Sequence, residues 1–295
     1  MRRVNKVANN EIVLDALLPA QMAARAEQIG ERKAKSAPMG MFVLAVLAGA
    51  FIALGAIFAT TVVAGAGSVV PYGLTRLAAG LVFCLGLILV IVGGAELFTG
   101  NNLIVMAWAS GKVSTALVLK NWIIVYLGNF VGSVGTAALI YFSGQYTFGK
   151  GAVGAAALAT ANAKVNLDFG QALALGILCN ALVCLAVWLS FNARTTTDRI
   201  LAIIPPISAF VAAGFEHSIA NMYFIPVGLF IKAGAPASFW ENIGQTAGDF
   251  ADLTWGRFLF NNLVPVTIGN IIGGAVLVGV VYWFVYLRRA NPATL

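Results

Sequence analysis

"GAELFTGN" at residues 94–101 has a counterpart, "GFEHSIAN" at residues 214–221, in the second half of the chain. Both stretches follow the pattern Gly-x-Glu-x4-Asn, and both interrupt a long apolar segment. A second pair repeats in the same order: "NWIIVYLGNFVG" at 121–132 and "NLVPVTIGNIIG" at 262–273 share Asn-x6-Gly-Asn-x2-Gly. Two matches in the same order indicate that the chain contains an internal duplication.

The composition is that of a membrane protein. Hydrophobic residues make up 60% of the 295 residues, and charged residues make up only 10%. A helix needs about 20 apolar residues to cross a bilayer. The segments that are long enough are 40–66, 74–110, 120–142, 169–191, 200–231 and 258–287. We therefore expect an all-α membrane protein with six transmembrane helices.

The duplication divides these helices into two groups of three. Because three is an odd number, the two groups must cross the membrane in opposite directions, as an inverted 3+3 repeat. The expected organisation is a tail at residues 1–38 with an amphipathic helix from Pro19 to Lys35, a first repeat at 39–150, and a second repeat at 151–295 that ends in a short tail.

The second and fifth spans are predicted to be broken helices. Glycine precedes each glutamate, and Thr99, Ser218 or asparagine follows it; glycine weakens a helix, while these polar side chains favour the start of a new one. Irregular backbone at membrane depth is tolerated only inside protein or along a watery cavity. The amides and positive dipole ends of the second half-helices would then face an anion near the bilayer midplane.

The net charge of +7 is explained by membrane topology rather than by a nucleic-acid partner. Most of the basic residues fall in the tails and loops of one side. They are Arg2, Arg3, Lys6, Arg25, Arg32, Lys33, Lys35, Lys112, Lys120, Arg194, Arg199, Arg288 and Arg289. The positive-inside rule then places both termini in the cytoplasm.

The three cysteines give no indication of a metal site. Cys84, Cys179 and Cys184 all lie within apolar spans, and a metal site would need a tighter cluster of ligands. Reduced structural thiols are the favoured interpretation. We expect no cofactor, no metal and no catalytic residue.

Glu96, Glu216 and His217, the only histidine, are the ionisable groups expected deep in the membrane. Burying such a charge costs from about 3 to over 10 kcal/mol, so these residues mark a functional site by default. A structural alternative exists for each. His217 could be a neutral, hydrogen-bonded residue, and the carboxylates could accept the free amides of the broken-helix loops and so stabilise them, together with Asn101 and Asn221.

The sequence resembles the formate/nitrite transporter family over almost its whole length. The resemblance rests on "LLPAQMAARAEQIG" at 17–30, "AELFTGN" at 95–101, "KNWIIVYLGN" at 120–129, "GFEHSIAN" at 214–221 and "PVTIGNIIGG" at 265–274. It implies homopentamers of six-helix protomers with an aquaporin-like inverted repeat in the bacterial cytoplasmic (inner) membrane. Each protomer would hold its own pore for small monovalent anions such as formate, nitrite or hydrosulfide.

The resemblance also assigns roles to individual residues. His217 matches the central pore histidine and Thr99 the threonine that faces it; Asn180 matches a polar pore residue and Lys164 a vestibule cation. Leu87, Leu97 and Phe98 match the cytoplasmic constriction, and Phe83, Val183 and Phe210 match the periplasmic one. Lys164 is expected in an outer loop, where it could instead be simply solvated. The first loop reads "TGNN", whereas formate channels often read "TS" followed by apolar residues, and Thr-Gly also occurs in nitrite-type members.

The expected function is pH-dependent passage of formate together with protons. Leu and Phe side chains strip water from an anion, and protonation removes most of the resulting desolvation penalty. Histidine suits this step because its unperturbed pKa of about 6.5 lies near physiological pH. The proton could come from the imidazolium or from water polarised by the ring. Formate is favoured over nitrite because "FVAAGFEHSIANMYFIPVG" at 210–228 is similar to formate channels.

Two other classes of function fit the sequence less well than an anion channel does. An aquaporin-like pore for neutral solutes predicts paired Asn-Pro-Ala loops, which the sequence lacks. A membrane-embedded enzyme using Glu216 and His217 would need a nucleophile or a metal cluster, which one histidine and three scattered cysteines do not supply.

Overall fold

The structure is a computed structural model, and it describes residues 16–67 and 69–288. All regular elements in these residues are helical. The α-helices are α1 (Pro19–Ala34), α2 (Pro38–Val63), α3 (Tyr72–Gly93), α4 (Phe98–Asn101), α5 (Val105–Ala109), α6 (Thr115–Phe142), α7 (Ala152–Val165), α8 (Phe169–Asn192), α9 (Thr196–Ala212), α10 (Ser218–Gly234), α11 (Ala237–Ile243), α12 (Val264–Ile271) and α13 (Val281–Tyr286). The basic residues Arg2, Arg3, Lys6 and Arg289, counted above for topology, lie outside the described residues.

The shorter elements connect these helices. The 3-10 helices are Asn102–Ile104, Gln145–Thr147 and Ala247–Phe250, and π-helical segments at Arg257–Leu263 and Ile272–Val280 flank α12. Arg257–Tyr286 is therefore one continuous span of mixed helix type.

Six apolar spans are consistent with the described residues. Helices α2, α3, α6, α8 and Arg257–Tyr286 are each long and apolar enough to cross a membrane. The sixth candidate is α10 with α11, which are bent by 114° relative to each other. All six predicted segments are helical, and the amphipathic helix predicted at Pro19–Lys35 is observed as α1. The multi-span, all-helical fold class is confirmed.

Both predicted breaks are present. Helix α3 ends at Gly94 and α9 is followed by Gly214, and both glycines have positive φ (81° and 77°), a conformation that other residues rarely adopt. The chain then runs extended through Leu97 and His217, which are the N-caps of α4 and α10.

Asn129 holds the first loop in place. Its side-chain oxygen accepts a hydrogen bond from the Phe98 amide at 2.9 Å, and its nitrogen donates to the carbonyls of Ala45 (2.8 Å) and Glu96 (2.9 Å). This one buried amide therefore satisfies a backbone donor at the start of α4 and ties the loop to α2.

Asn270 does the same for the second loop. It accepts from the Ser218 amide at 2.9 Å and donates to the carbonyls of Gly176 (2.8 Å) and Glu216 (2.9 Å). The three partners occupy the corresponding positions of the second repeat. The three hydrogen bonds of Asn129 thus have equivalents in the three hydrogen bonds of Asn270, as the duplication in the sequence predicts.

Close helix contacts follow the same symmetry. A Cβ on Gly132 of α6 would lie 2.0 Å from the Val46 carbonyl oxygen of α2, and a Cβ on Gly273 would lie 2.1 Å from the Ile177 carbonyl oxygen of α8. The final glycine of each Asn-x6-Gly-Asn-x2-Gly motif therefore allows two backbones to touch, which is a common use of small residues in membrane helices.

Candidate functional site

His217 lies at the centre of the molecule, at the start of α10. Its ring is buried (3% exposed), and Nδ1 accepts a hydrogen bond from the Ala220 amide at 3.0 Å. Because a backbone N–H is always the donor, Nδ1 carries no proton in this arrangement, and the proton of the neutral ring is on Nε2. The cap of α10 thereby fixes the tautomer of the histidine.

Thr99 connects this histidine to the other broken helix. The Thr99 Oγ1 and the His217 Nε2 are 3.0 Å apart. With Nε2–H as the donor, the threonine oxygen accepts, and the threonine hydroxyl keeps its own proton for another acceptor. The two half-helices thus meet through side chains that form a short donor chain.

The first cavity opens on the side of α7 and has a volume of about 450 Å³; we call it the α7-side cavity. Its lining residues include Arg76, Phe83, Lys164, Phe210, Glu216, His217 and Phe224. The Phe210 ring stacks on the His217 ring with centroids 5.9 Å apart, and Phe83 meets Phe210 edge-on at 5.7 Å. The histidine therefore lines this cavity beside phenylalanine rings.

Lys164 is in the last turn of α7, not in an outer loop. Its ammonium is 2.6 Å from a Glu216 oxygen, and the two side chains are only 15% and 4% exposed. It also lies 5.5 Å from the centroid of the Phe224 ring. The alternative of a simply solvated lysine is therefore wrong: the helix and the buried carboxylate hold this cation at the cavity wall.

The second cavity opens on the side of α1 and has a volume of about 410 Å³; we call it the α1-side cavity. Leu87 and Leu97, both 2% exposed, lie in its apolar wall. His217 lines only the α7-side cavity, while Thr99 is fully buried and lines neither. The two cavities thus approach each other from opposite sides of a closed layer that contains the Thr99–His217 contact.

Comparison with known proteins shows to which family the chain belongs. The family model described as "Formate/nitrite transporter" matches residues 20–284. The chain belongs to the formate/nitrite transporter family.

Relatives within this family are similar over nearly their whole length. The chain is 47% identical over 275 residues to the formate channel FocA of Escherichia coli (strain K12), covering 93% of this chain and 96% of that protein. It is 45% identical to the formate channel FocA of Haemophilus influenzae, covering 92% and 95%. The expected family is therefore confirmed.

Solved structures of this family have the same fold. A structure described as a pentameric formate channel with formate bound matches with a TM-score of 0.81 at 46% identity, covering 85% of this chain and 98% of that one. A structure described as an FNT family ion channel matches with a TM-score of 0.76 at 29% identity, covering 90% and 98%.

Two residues of the predicted constrictions are not at a cavity wall in this family member. Phe98 packs edge-on against Trp122 (6.0 Å) and Tyr126 (5.0 Å) of α6, and Val183 is buried without lining either cavity. Phe98 follows Leu97 at the start of a helix, where consecutive side chains point in different directions. Leu97 thus faces the α1-side cavity and Phe98 faces α6.

Asn180, which the resemblance assigns as a polar pore residue, does not line either cavity. Its side-chain nitrogen donates to the backbone oxygens of Thr99 (3.3 Å) and Asn270 (2.7 Å) and to Asn102 Oδ1 (3.0 Å). It is fully buried and lines neither cavity, although its own oxygen has no partner within the described residues. It lies behind Thr99 and supports its backbone.

The carboxylates accept side-chain donors rather than the predicted loop amides. Glu96 accepts from Lys33 (2.9 Å) and Asn101 (2.6 Å). Its counterpart Glu216 accepts from Lys164 and, at 2.7 Å, from Asn221. The Phe98 and Ser218 amides are instead satisfied by the two motif asparagines, and the Glu96 and Glu216 amides donate to backbone carbonyls. The two carboxylates therefore remain available for cations.

Sequence reasoning missed several residues that build the site. Asn129 and Asn270 were visible in the repeated motif but were used only to detect the repeat. Lys33 was counted only as a topology charge, and no local pattern indicates that its ammonium reaches Glu96. Arg76, whose guanidinium donates to the Val211 and Ala212 carbonyls, carried no signal either.

Proposed function

We propose that this family member passes formate, together with a proton, across the bacterial cytoplasmic membrane, with the α1 side facing the cytoplasm and one path in each protomer of a homopentamer. The observation that carries the proposal is the Thr99–His217 contact, which lies between two cavities on opposite sides of the molecule. Relatives described as formate channels and the formate-bound pentamer support both the substrate and the assembly.

The physical problem at this layer is the cost of burying a small anion. Leu87 and Leu97 on one side and Phe83 and Phe210 on the other offer no hydrogen bonds, so a bare carboxylate would lose its hydration there without replacement. The Thr99 hydroxyl, polarised by the His217 Nε2–H, is a hydrogen-bond donor within the closed layer between the two sides. A carboxylate that accepts from it, and then takes up a proton, leaves as neutral formic acid.

The cap geometry favours water as the source of that proton. An imidazolium has a proton on both nitrogens, and a proton on Nδ1 would face the Ala220 amide donor instead of accepting from it. Charging the ring would therefore break the N-cap of α10. We infer that His217 stays neutral and orients the Thr99 hydroxyl, while a water in the α7-side cavity donates a proton to the anion. The hydroxide formed from that water takes up a proton from the solvent at the mouth of the cavity, so that one proton enters with each formate.

The basic residues of the two cavity walls attract the anion. Lys164 and Arg76 line the α7-side cavity, and basic residues also line the α1-side cavity. Charged walls around a low-dielectric cleft raise the local concentration of ions of opposite sign. The residues on the α1 side belong to the basic set that predicts a cytoplasmic location for the termini.

Nitrite is the second candidate substrate, because Thr99 is followed by Gly100, which lines the α1-side cavity, as in nitrite-type members. No catalytic role, cofactor or nucleic-acid partner is part of the proposal. Formate and nitrite uptake by the same proteoliposomes, measured at equal concentration and pH, distinguishes the two substrates: faster nitrite uptake would overturn the choice of formate.

The proposal is tested by replacing the histidine in two ways. His217→Phe removes both ring nitrogens, whereas His217→Asn keeps a side chain that can cap α10 but cannot reach Thr99 as the imidazole does. We expect proton-linked formate uptake to fall by about tenfold in both variants, because the hydrogen bond that orients the Thr99 hydroxyl is lost.

Uptake is measured with labelled formate and an internal pH dye, and assembly by size-exclusion chromatography. Normal assembly with lost coupling in His217→Asn supports a role beyond capping. Unchanged coupling in that variant would overturn the proposed role of the ring.

A further inference from the structure

The two cavities differ in the number of unbalanced positive charges on their walls. Arg25, Arg32, Lys33 and Arg199 line the α1-side cavity together with a single carboxylate, Glu96. The α7-side cavity has two basic residues, Arg76 and Lys164, against one carboxylate, Glu216. One side therefore carries an excess of three positive charges and the other an excess of one.

Most of the excess positive charge on the α1 side is not neutralised by ion pairs with the described residues. Lys33 is committed to Glu96 and to Asn101 Oδ1 (3.0 Å), so this lysine and the glutamate compensate each other. Arg25 donates one N–H to the Phe191 carbonyl at 3.0 Å, so most of the five N–H donors of its guanidinium remain available to a ligand. Arg32 and Arg199 have no side-chain hydrogen bond or ion pair to the described residues.

Arg199 does not cap a helix. Arg76, near the start of α3, donates to the last carbonyls of α9 and so caps the end of that half-helix. Arg199, near the start of α9, lines the α1-side cavity, as does Gly94 after the end of α3, but makes no such bond within the described residues. The Arg199 guanidinium is therefore available to a ligand.

We propose that the α1-side cavity is a binding site for a phosphate-type dianion, either free or as a small phosphomonoester, held by Arg25, Arg32 and Arg199. The planar guanidinium donates two parallel N–H bonds to such an oxyanion, a geometry that a lysine cannot supply. Three guanidiniums in one cavity of about 410 Å³ suit a divalent ligand better than a single monovalent carboxylate.

The bound dianion also occludes the entrance on this side. The apolar wall at Leu87 and Leu97 excludes a group that would have to be buried with two charges. The binding site itself is independent of the proposed function, whereas the occlusion rests on formate passage.

Binding is tested by isothermal titration of orthophosphate into the detergent-solubilised protein, with chloride used to match the ionic strength. We expect Arg199→Gln and Arg32→Gln each to weaken binding about tenfold, as one charge-assisted hydrogen bond implies. Arg194→Gln is the matched control, because Arg194 is exposed in the α8–α9 connection, five residues before Arg199, and does not line the cavity. Glycerol phosphate, titrated in parallel, distinguishes a free phosphate ligand from a phosphomonoester.

The occlusion is tested by formate uptake into proteoliposomes of known orientation with phosphate on one side only. We expect inhibition from the α1 side and not from the other side, and relief by Arg199→Gln. Absence of binding above the chloride control, or equal weakening by Arg194→Gln, overturns the site. Binding without one-sided inhibition overturns the occlusion, and absence of formate uptake in phosphate-free buffer overturns the proposed function instead.

Discussion

Leu97 and His217 occupy the same position in the two repeats, and this pair is the main chemical asymmetry of the closed layer. Both are N-caps in nearly identical extended conformations, with φ and ψ of −112° and 125° for Leu97 and −111° and 113° for His217. One is an alkyl side chain that faces the α1-side cavity, and the other is an imidazole that lines the α7-side cavity. The duplicated backbone thus presents an apolar group on one side of the layer and a polar group on the other.

At this scale the first prediction concerns the threonine partner of the histidine. Thr99→Val keeps the side-chain shape but leaves the His217 Nε2–H without its acceptor in a fully buried location. An unsatisfied buried donor costs about 1–3 kcal/mol, so we expect a lower unfolding temperature and strongly reduced formate uptake. Thr99→Ser is the control, since it retains the hydroxyl; equal uptake in the valine and serine variants would contradict the donor chain.

The residues of this layer could be predicted only in part. His217 was found because an ionisable group in an apolar segment has a cost that demands a partner. The role of Thr99 followed from the family resemblance. Their contact links residues of different repeats and could not follow from local spacing. The contacts of Phe98 with Trp122 and Tyr126 could not follow from the family match, because one helical step separates a cavity wall from an interhelical contact.

Among the elements, the tight contact between α2 and α6 depends on Gly132. Any side chain there would meet the Val46 carbonyl at 2.0 Å, and a backbone atom cannot move aside as a flexible side chain can. The contact lies next to Asn129, which holds the first loop, so separating these helices would also disturb α4.

We therefore predict that Gly132→Ala destabilises the protein by about 1–3 kcal/mol, the usual cost of overpacking, and reduces the yield of folded pentamer. Gly135→Ala, in the same helix, is the matched control, because a Cβ at Gly135 meets nothing within 4 Å. The measurement is thermal unfolding followed by size-exclusion chromatography. Equal unfolding temperatures for the two alanine variants would show that the backbone contact is not needed.

The sequence predicted the long spans and their breaks well and the short elements poorly. Apolar length and glycine next to polar caps are strong local signals, which is why α3 and α9 end where expected. Helix α7 was missed because its sequence, "AVGAAALATANAKV", is short, weakly apolar and outside every predicted span, although alanine is the best helix former. The π-helical segments around α12 have no recognised sequence signal.

For the whole molecule, the two lysine–glutamate pairs are equivalent in geometry but not in environment. The Lys164–Glu216 side chains are 15% and 4% exposed, whereas the Lys33–Glu96 side chains are 28% and 14% exposed. Removing one partner from a buried pair leaves an uncompensated charge, and water reduces that penalty where the pair is more exposed.

We predict that Lys164→Met destabilises the protein by about 3–5 kcal/mol and that Lys33→Met costs clearly less. Adding Glu216→Gln to Lys164→Met should recover part of the loss, because the double variant buries no unpaired charge. The free energy of unfolding of the single and double variants measures this coupling. A larger effect for Lys33→Met than for Lys164→Met would contradict the assigned environments.

Helix α1 has a counterpart in the second repeat, and this changes how the segment Pro19–Ala34 should be regarded. Lys33 reaches Glu96, and its backbone carbonyl accepts from Asn121, as Lys164 reaches Glu216 and accepts from Asn262. We infer that α1 is the equivalent of α7. Each repeat then begins with a helix that precedes its first long span and donates a lysine to the glutamate of its own broken-helix loop. Deleting α1 would therefore remove part of the first repeat rather than a separate tail.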